Sequence, residues 1–449
     1  MSETTLNYLA KEYLELTLCK SRVDDIDIQW YTEGPFWRRT DMRYSRDYKI
    51  LPDYEIADAK HGRTLEDILD ESGHLMDFLA LYEKTSRPDE ADRIRYLKDH
   101  VRALRMRTRS LLGEHPRYDE MTKELYGMTA PVAGCGMFDA VLSDVAAALP
   151  GPADAAHRIW ALRERLRLPV DRVVPVLTQV TQAFHDMACA NMHLTGNSMP
   201  RVRGYYYPNA EMEFLSILFA YDYNHLEYER NMNLNYPWTV DRVMECIGHE
   251  MEPGHLTFYE KRTQKYIDTC RPEMAVVSQH SPASAFSEGA ARVMIDVCFH
   301  DSAEEKTDFE REMIFVPGGL DAGLAELMPL WHRYCEMGGY AKLEATRNMW
   351  DGVWDRAEAA AFLKKYALIP EDTQPEDVGA YLYPDQGHFV AHDYARDVVR
   401  AYFRQKAPSI GGKWALYEEL CGGYMFMDDM EDVYRLTPTS STRQADSRP

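Results

Sequence analysis

The chain has 449 residues, 45% of them hydrophobic, so it can bury a sizeable core as one large domain or as two or three smaller ones. Its 73 acidic and 51 basic side chains give a formal net charge of −22 at pH 7. Such a surface repels phosphate backbones and anionic lipids. We therefore expect neither a nucleic-acid partner nor a membrane partner.

The cysteines and the first residues of the chain give expectations about its redox state and its location in the cell. The eight cysteines are scattered without a Cys-x-x-Cys pair, which favours neither a disulfide framework nor a thiolate zinc site. The chain starts MSETTLNYLAKEYLEL, with no basic start followed by an apolar core, and no run of eighteen apolar residues occurs. We therefore expect a reduced, cytoplasmic protein, and its oligomeric state stays open.

Helical periodicity dominates the chain and predicts a mainly α fold with a central cleft and few short strands. Residues 196–210 carry turn formers and aromatics and predict a loop or a short strand. Residues 270–285 predict a second loop, and a helix opens near 284–287. The remaining predicted helices are 2–20, 64–84, 88–112, 136–149, 153–166, 170–193, 211–230, 239–252, 255–267, 303–314, 321–336, 339–348, 355–366, 388–406 and 413–423.

These elements suggest one body with two functional halves and a tail. We expect residues 1–195 to form a helical half that covers one wall of the cleft. Residues 196–436 would then form the metal-binding, catalytic half. Residues 437–449 are polar, and we expect them to be disordered.

The segment His249-Glu250-Met251-Glu252-Pro253-Gly254-His255 holds the residue types of a catalytic zinc site. Two histidines and a glutamate form a zinc ligand set, and Glu288, 33 residues after His255, is the candidate third ligand. A glutamate that directly follows the first histidine can act as the base on metal-bound water. This pattern assigns the metal to His249, His255 and Glu288 and the general base to Glu250.

The spacing of the two histidines requires a break in the helix. Residues six apart lie about 240° apart around an ideal helix, so both rings cannot face one ion from a regular helix. Pro253 removes a backbone donor, and Gly254 accepts unusual dihedral angles. We therefore predict an interruption at Pro253-Gly254 that returns His255 to the side of His249.

A second arrangement of the same segment stays open. Glu245, His249 and Glu252 are spaced four and three residues apart and share one helical face. Glu245 could accept the second ring N–H of His249 and fix its tautomer. Alternatively, Glu252 as a ligand would make a carboxylate-rich site that suits iron or manganese.

The motif and several other passages resemble a bacterial family called domain of unknown function 885. The family's metal motif is His-Glu-x-x-Pro-Gly-His followed by Glu-Gly-x-Ala. The other matching passages are Arg203-Gly204-Tyr205-Tyr206-Tyr207-Pro208, Arg347-Asn348-Met349-Trp350-Asp351, Trp354-Asp355-Arg356-Ala357-Glu358-Ala359 and Tyr383-Pro384-Asp385-Gln386. The resemblance covers about residues 120–410. It implies a zincin-like metallopeptidase body with a glutamate as the third zinc ligand.

The resemblance also directs attention to the region after the Pro-x-Gln turn. The family tends to have a tyrosine where this chain has Val390, so a different side chain would have to stabilise an oxyanion. His388 and Tyr394 are our first candidates for this catalytic role. His392 is a further candidate, as an oxyanion donor or in a proton relay.

Substrate contacts are predicted from the aromatic and arginine residues of the matching passages. Tyr205 and Tyr207 would line a substrate groove. Arg347 would hold a substrate carboxylate through two parallel hydrogen bonds, with Arg292 and Arg396 as alternatives.

The sequence therefore predicts a zinc-dependent hydrolase that cleaves a peptide or amide bond in a small molecule or short peptide. Two alternatives stay open. One is a non-peptidase metal enzyme that acts on a specialised small molecule, which the departures at Leu256-Thr257 and Val390 favour. The other is a catalytically inactive binding protein that keeps the fold.

Overall fold

The protein is described here from a computed structural model. The described residues are 5–24, 62–192, 232–234, 236–368, 387 and 389–436, together with the backbone of strands at 28–31, 37–44, 50–56, 201–207, 216–222 and 227–231.

The fold is mainly α, as the sequence predicts. The helices are α1 (Thr5–Ser21), α2 (Leu65–Glu83), α3 (Ala91–Leu111), α4 (Tyr118–Tyr126), α5 (Cys135–Ala148), α6 (Ala155–Arg165), α7 (Val170–Asn191), α8 (Val240–Glu250), α9 (His255–Thr269), α10 (Pro282–Cys298), α11 (Ala303–Glu310), α12 (Val316–Gly318), α13 (Met328–Trp350), α14 (Arg356–Tyr366), α15 (Ala395–Lys406), α16 (Ile410–Cys421) and α17 (Met427–Leu436). Two π-helical segments, Arg311–Phe315 and Val390–Tyr394, run directly into α12 and α15.

The strands form three small sheets. They are β1 (Ile28–Tyr31), β2 (Trp37–Tyr44), β3 (Ile50–Ile56), β4 (Arg201–Tyr207), β5 (Ser216–Asp222), β6 (Glu227–Asn233) and β7 (Val276–Ser278). β1 pairs antiparallel with β7, and β2 pairs antiparallel with β3. In the third sheet β6 lies between β4, to which it is parallel, and β5, to which it is antiparallel.

The helix predicted over 211–230 is wrong where the structure describes this segment. Residues 216–222 and 227–233 are strands β5 and β6. Ser216–Asp222 reads SILFAYD, whose aromatic and β-branched residues favour a strand once a neighbour is available for pairing. That neighbour is β6, so tertiary pairing decides the conformation.

Smaller differences concern boundaries and missed elements. The two helices predicted at 321–336 and 339–348 are largely one helix, α13, which a short 3₁₀ segment precedes. The loop predicted at 270–285 contains β7 and the first residues of α10. Helices α4 and α17 are not among the predicted elements.

The hydrophobic side chains of the described residues form three buried clusters. The largest contains side chains from both halves of the chain, including Val180 and Phe184 of α7 and Val243 and Ile247 of α8. A second cluster joins α1, α2 and α3 to the segment around β7. A third lies between α5, α13 and α14. The first cluster includes side chains of α8 and α10, so the segments that carry the His249–His255 motif and Glu288 are anchored in the largest hydrophobic cluster.

Within the described part of the chain, no helix combines the length and the apolar character needed to cross a bilayer.

Candidate metal centre

The predicted break between the two histidines is confirmed. Helix α8 ends at Glu250, and α9 starts at His255, with four residues between them. A Cβ atom at Gly254 would lie 1.9 Å from the His249 carbonyl oxygen, so only glycine fits at this position. The Tyr417 hydroxyl lies 2.7 Å from the Pro253 carbonyl oxygen and 3.0 Å from that of Gly254. The turn is therefore compact and held from outside by α16.

Helix α10 brings Glu288 to the two histidines. It begins with Pro282 at its first position and with the Ser281 hydroxyl accepting a hydrogen bond from the Ser284 N–H. A Cβ atom at Gly289 would lie 2.6 Å from the backbone carbon of Ala395, so glycine lets α10 approach α15 closely. This close approach places Glu288 beside the π-helical segment that carries His392.

The imidazoles of His249 and His255 converge on the Glu288 carboxylate. The Nε2 atoms lie 3.1 Å and 3.3 Å from Oε2 of Glu288, and the three ligand atoms lie within 4.8 Å of one another. Around a tetrahedral zinc with bonds of about 2.0–2.1 Å, neighbouring ligand atoms are roughly 3.3 Å apart. The donor set and its spacing therefore fit a zinc ion. All three side chains are buried.

A third histidine reaches the same carboxylate. Nε2 of His392 lies 3.0 Å from Oε2 of Glu288. His392 is not part of the group whose ligand atoms all lie within 4.8 Å of one another. It therefore contacts the carboxylate without joining the predicted ligand set.

The electrostatics of the cluster follow from burial and mutual contact. Burial acts to raise the pKa of Glu288, but His392 and His255, together with the hydrogen bond to His249, outweigh it and hold the pKa well below its ordinary value. Burial and the neighbouring His255 lower the pKa of His249. Burial also acts to lower the pKa of His255, but Glu288 and then Glu250 outweigh it, and the net pKa is raised. The cluster thus combines a carboxylate whose pKa is held low with an imidazole, that of His255, whose pKa is raised.

The second nitrogens of the two histidines differ in their partners. Nδ1 of His255 lies 2.7 Å from the Ser287 hydroxyl, which orients this ring, and the ring stacks on Tyr259 with centroids 5.6 Å apart. Nδ1 of His249 is buried and has no hydrogen-bond partner among the described residues. Glu245, considered from the sequence for that role, instead faces two arginines.

The two carboxylates between His249 and His255 have different environments. Glu250 is partly buried and acts on the pKa of both His249 and His255, so its charge lies close to the predicted ligands. Glu252 is turned away and hydrogen-bonds Nδ1 of His185 at 2.8 Å. The arrangement with Glu252 as a metal ligand therefore receives no support from the geometry.

The role predicted for Arg347 is wrong. Its guanidinium is 6% exposed and lies 2.5 Å from Glu344 and 3.0 Å from Asp119. It also donates to the carbonyl oxygen of Ala130 at 2.5 Å. Since these structural partners occupy its donors, Arg347 is not placed to clamp a substrate carboxylate.

The role predicted for Tyr394 is wrong as well. The side chain is fully buried, and its hydroxyl lies 3.0 Å from Glu431, a carboxylate that also contacts Lys123 and Arg435. Although Tyr394 is only two residues from His392, it supports the packing of α17 rather than the metal cluster. Its hydroxyl is therefore not an oxyanion donor.

Other predicted site residues lie outside what the structure describes. His388 and the segment 437–449 are among the undescribed residues, and only the backbone of Tyr205 and Tyr207, in β4, is described. That backbone confirms a strand within 196–210. The predicted division of the chain at residue 195 stays a prediction.

A polar cavity of about 270 Å³ is lined in part by residues one helical turn from two of the candidate ligands. Arg242 and Glu245 of α8, Arg292 of α10 and Asp393 of the π-helical segment contribute to its walls. Arg292 lies 3.1 Å from Glu245 and 2.9 Å from Asp393. Arg242 was not predicted as a site residue from the sequence. Its position seven residues before His249 on the same helix is the signal that could have pointed to it.

Comparisons with known proteins give structural neighbours only. No family model matches the chain. No curated protein matches it either. A solved "putative lipoprotein" from Colwellia psychrerythraea is 13% identical, with a TM-score of 0.47, over 83% of this chain and 69% of that one. A solved "putative lipoprotein of unknown function" from Shewanella oneidensis is 15% identical, with a TM-score of 0.42, over 82% of this chain and 73% of that one.

These neighbours contradict the cytoplasmic location that was expected from the sequence. Both are described as lipoproteins, which are membrane-anchored rather than cytoplasmic. We therefore withdraw the cytoplasmic expectation. Since both TM-scores are below 0.5, no location is carried over to this chain in its place.

Proposed function

We propose that the protein is a zinc-dependent hydrolase that cleaves an amide or peptide bond in a small substrate. The observation that carries the proposal is the convergence of His249 and His255 on Glu288, with Nε2–Oε2 distances of 3.1 Å and 3.3 Å. On an unbroken helix the two imidazoles would lie on different sides. The break before His255 brings them together, and burial protects them from bulk water.

The chemistry divides between the metal and the protein. Zinc held by His249, His255 and Glu288 would act as a Lewis acid and lower the pKa of a bound water to about 7. Glu250 would take a proton from the attacking water and deliver it to the leaving nitrogen, so that a C–O bond forms as the C–N bond breaks. His392 would keep the Glu288 carboxylate in place. On this proposal the chain is a diverged relative of the family it resembles.

Metal content tests the ligand assignment. Protein purified without a chelator and without a metal-binding tag should contain about one zinc per chain by elemental analysis. A His255→Gln variant should lose most of it, because only two ligands remain. Metal-free wild-type protein, after incubation with zinc and removal of the excess, would contradict the proposal.

Turnover tests the general base. Glu250→Gln should keep its zinc and lose about 10²–10⁴-fold in turnover of N-acyl amino acids and dipeptides, measured as released amine, because an amide cannot accept the proton. The matched control is Glu252→Gln, which removes a carboxylate that hydrogen-bonds His185. It should keep its metal and most of its activity. Zinc without any amine release from a broad panel would favour a binding protein or a different metal chemistry.

A further inference from the structure

The polar cavity lies about one helical turn from the metal ligands. Glu245 precedes His249 by four residues on α8, and Arg292 follows Glu288 by four residues on α10, so each lies about 6 Å along its helix from a ligand. The two side chains meet in an ion pair of 3.1 Å. This pair lies in the wall of the cavity, one helical turn from His249 and from Glu288.

The lining of the cavity has an excess of positive charge in a strongly acidic chain. Its basic side chains are Arg242, Arg292, Lys306, Lys342, Arg396 and Arg400. Its acidic side chains are Asp241, Glu245, Asp296, Glu336 and Asp393. Six basic groups against five acidic ones give a local balance of +1, whereas the whole chain carries −22. Burial and then Arg242 lower the pKa of Lys342, as expected where cations are crowded.

Arg242 is the cation best placed to meet a ligand. Its side chain is 40% exposed, against 22% for Arg292 and for Arg400 and 5% for Arg396. Among the described residues, the guanidinium donates one hydrogen bond, from Nη1 to Oε2 of Glu245 at 2.6 Å, and Asp241 lies 3.9 Å from its Nε. A guanidinium has five N–H donors in a planar fork that matches a carboxylate. Because Arg242 lines the cavity, its fork of donors can serve a ligand bound there.

The size and polarity of the cavity restrict the ligand. Its volume of about 270 Å³ lies just below the usual range of about 300–1,000 Å³ for ligand pockets, which are mostly apolar. Eleven of its lining residues are charged. A peptide with apolar side chains would not be accommodated, whereas a compact, charged molecule would.

Building on the proposed hydrolase function, we propose that this cavity binds the carboxylate end of a small anionic substrate and that Arg242 is its principal contact. The bond to be cleaved would then lie on the side of the cavity where the Glu245–Arg292 ion pair is nearest to the candidate metal ligands. The proposal narrows the substrate class from peptides in general to small carboxylate-bearing amides.

Calorimetric titration of the zinc-loaded, full-length protein with succinate tests the proposal without using activity. Wild type should bind succinate, and Arg242→Gln should bind it about tenfold or more weakly, because a charged, forked donor is lost. Arg242→Lys should fall between the two, since lysine keeps the charge but not the fork. The matched control is Arg165→Gln, whose side chain is 58% exposed and lies outside the cavity, and it should bind like wild type.

A repeat of the titration after removal of zinc with a chelator separates this proposal from the hydrolase proposal. Succinate binding that depends on Arg242 supports the cavity assignment even if no hydrolysis is found. Equal affinities of wild type and Arg242→Gln, or no binding of succinate to wild type, would overturn the cavity assignment. The hydrolase proposal is tested by zinc content and amine release, which are separate measurements, so it would not be decided by that result.

Discussion

At the scale of single residues, the Glu288 carboxylate is the common contact of the candidate metal centre. It is 3% exposed, and the imidazoles of His249, His255 and His392 all approach one of its oxygens. A buried carboxylate is costly unless it is paired and hydrogen-bonded. Three nitrogen partners supply that stabilisation here. They also explain why this glutamate is ionised and ready to bind a cation.

His392 should tune the affinity for the metal without being one of the ligands. We predict that His392→Gln weakens zinc binding by about 10–100-fold in a chelator competition titration, because the ion-pair contact that orients the candidate ligand Glu288 is lost. His300→Gln is the control, since His300 also pairs with a glutamate, Glu305, but at an exposed position away from the cluster. Unchanged zinc affinity in His392→Gln would show that Glu288 is held by its remaining contacts.

At the scale of elements, the junction of α8 and α9 determines whether the two motif histidines meet. The junction needs a residue without a side chain at position 254, because the His249 carbonyl oxygen occupies the space of a Cβ. The requirement at Gly289 is similar, since α15 backbone atoms lie within 3 Å of its missing Cβ. Two glycines thus set the approach of three segments that carry His249, Glu288 and His392.

We predict that Gly254→Ala destabilises the protein by about 3 kcal/mol in urea unfolding and lowers zinc content, because the added methyl group forces the backbone apart. Gly338→Ala is the matched control. Gly338 lies inside α13 with nothing within 4 Å of a new Cβ, so alanine should be neutral or stabilise by about 0.5–1 kcal/mol. Equal stability of the two variants would contradict the close contact at Gly254.

At the scale of the whole molecule, a buried ion pair joins the N-terminal helices to the segment before α10. Arg93 of α3 donates from Nε and Nη2 to the two carboxylate oxygens of Glu273, at 2.6 Å and 2.9 Å. The Tyr424 hydroxyl donates to the same carboxylate at 2.8 Å. Glu273 is fully buried, so the pair links the cluster of α1, α2 and α3 to β7 and, through it, to α10.

Glu273→Gln should therefore destabilise the protein by about 3–5 kcal/mol, since it leaves the Arg93 charge buried without its counter-charge. Glu83→Gln breaks an ion pair with Lys98 in which the Glu83 side chain is 50% exposed and the Lys98 side chain 26%. This substitution should lower the free energy of unfolding by less than about 1 kcal/mol. Chemical denaturation of both variants measures the difference. A small loss in Glu273→Gln would mean that the two parts of the core are joined mainly by apolar contacts.

The sequence by itself determined the fold class, and it predicted which residue types form the candidate metal centre. The mainly α fold follows from helical periodicity, which local backbone geometry imposes. The break at Pro253-Gly254 also follows from local rules, because proline and glycine act on their own backbone. The identities of His249, His255 and Glu288 could be read because ligand types and spacing are properties of the chain.

Only the tertiary structure decided which distant side chains share the site. Arg347 and Tyr394 looked available in the sequence, but Glu344 and Glu431 occupy them in the fold. His392 reaches Glu288, and Arg242 reaches the cavity, because α8, α10 and the π-helical segment pack side by side. Strand β5 likewise depends on pairing with β6. Spacing along one helix can point to a candidate such as Arg242, but the contacts between distant elements depend on how those elements pack.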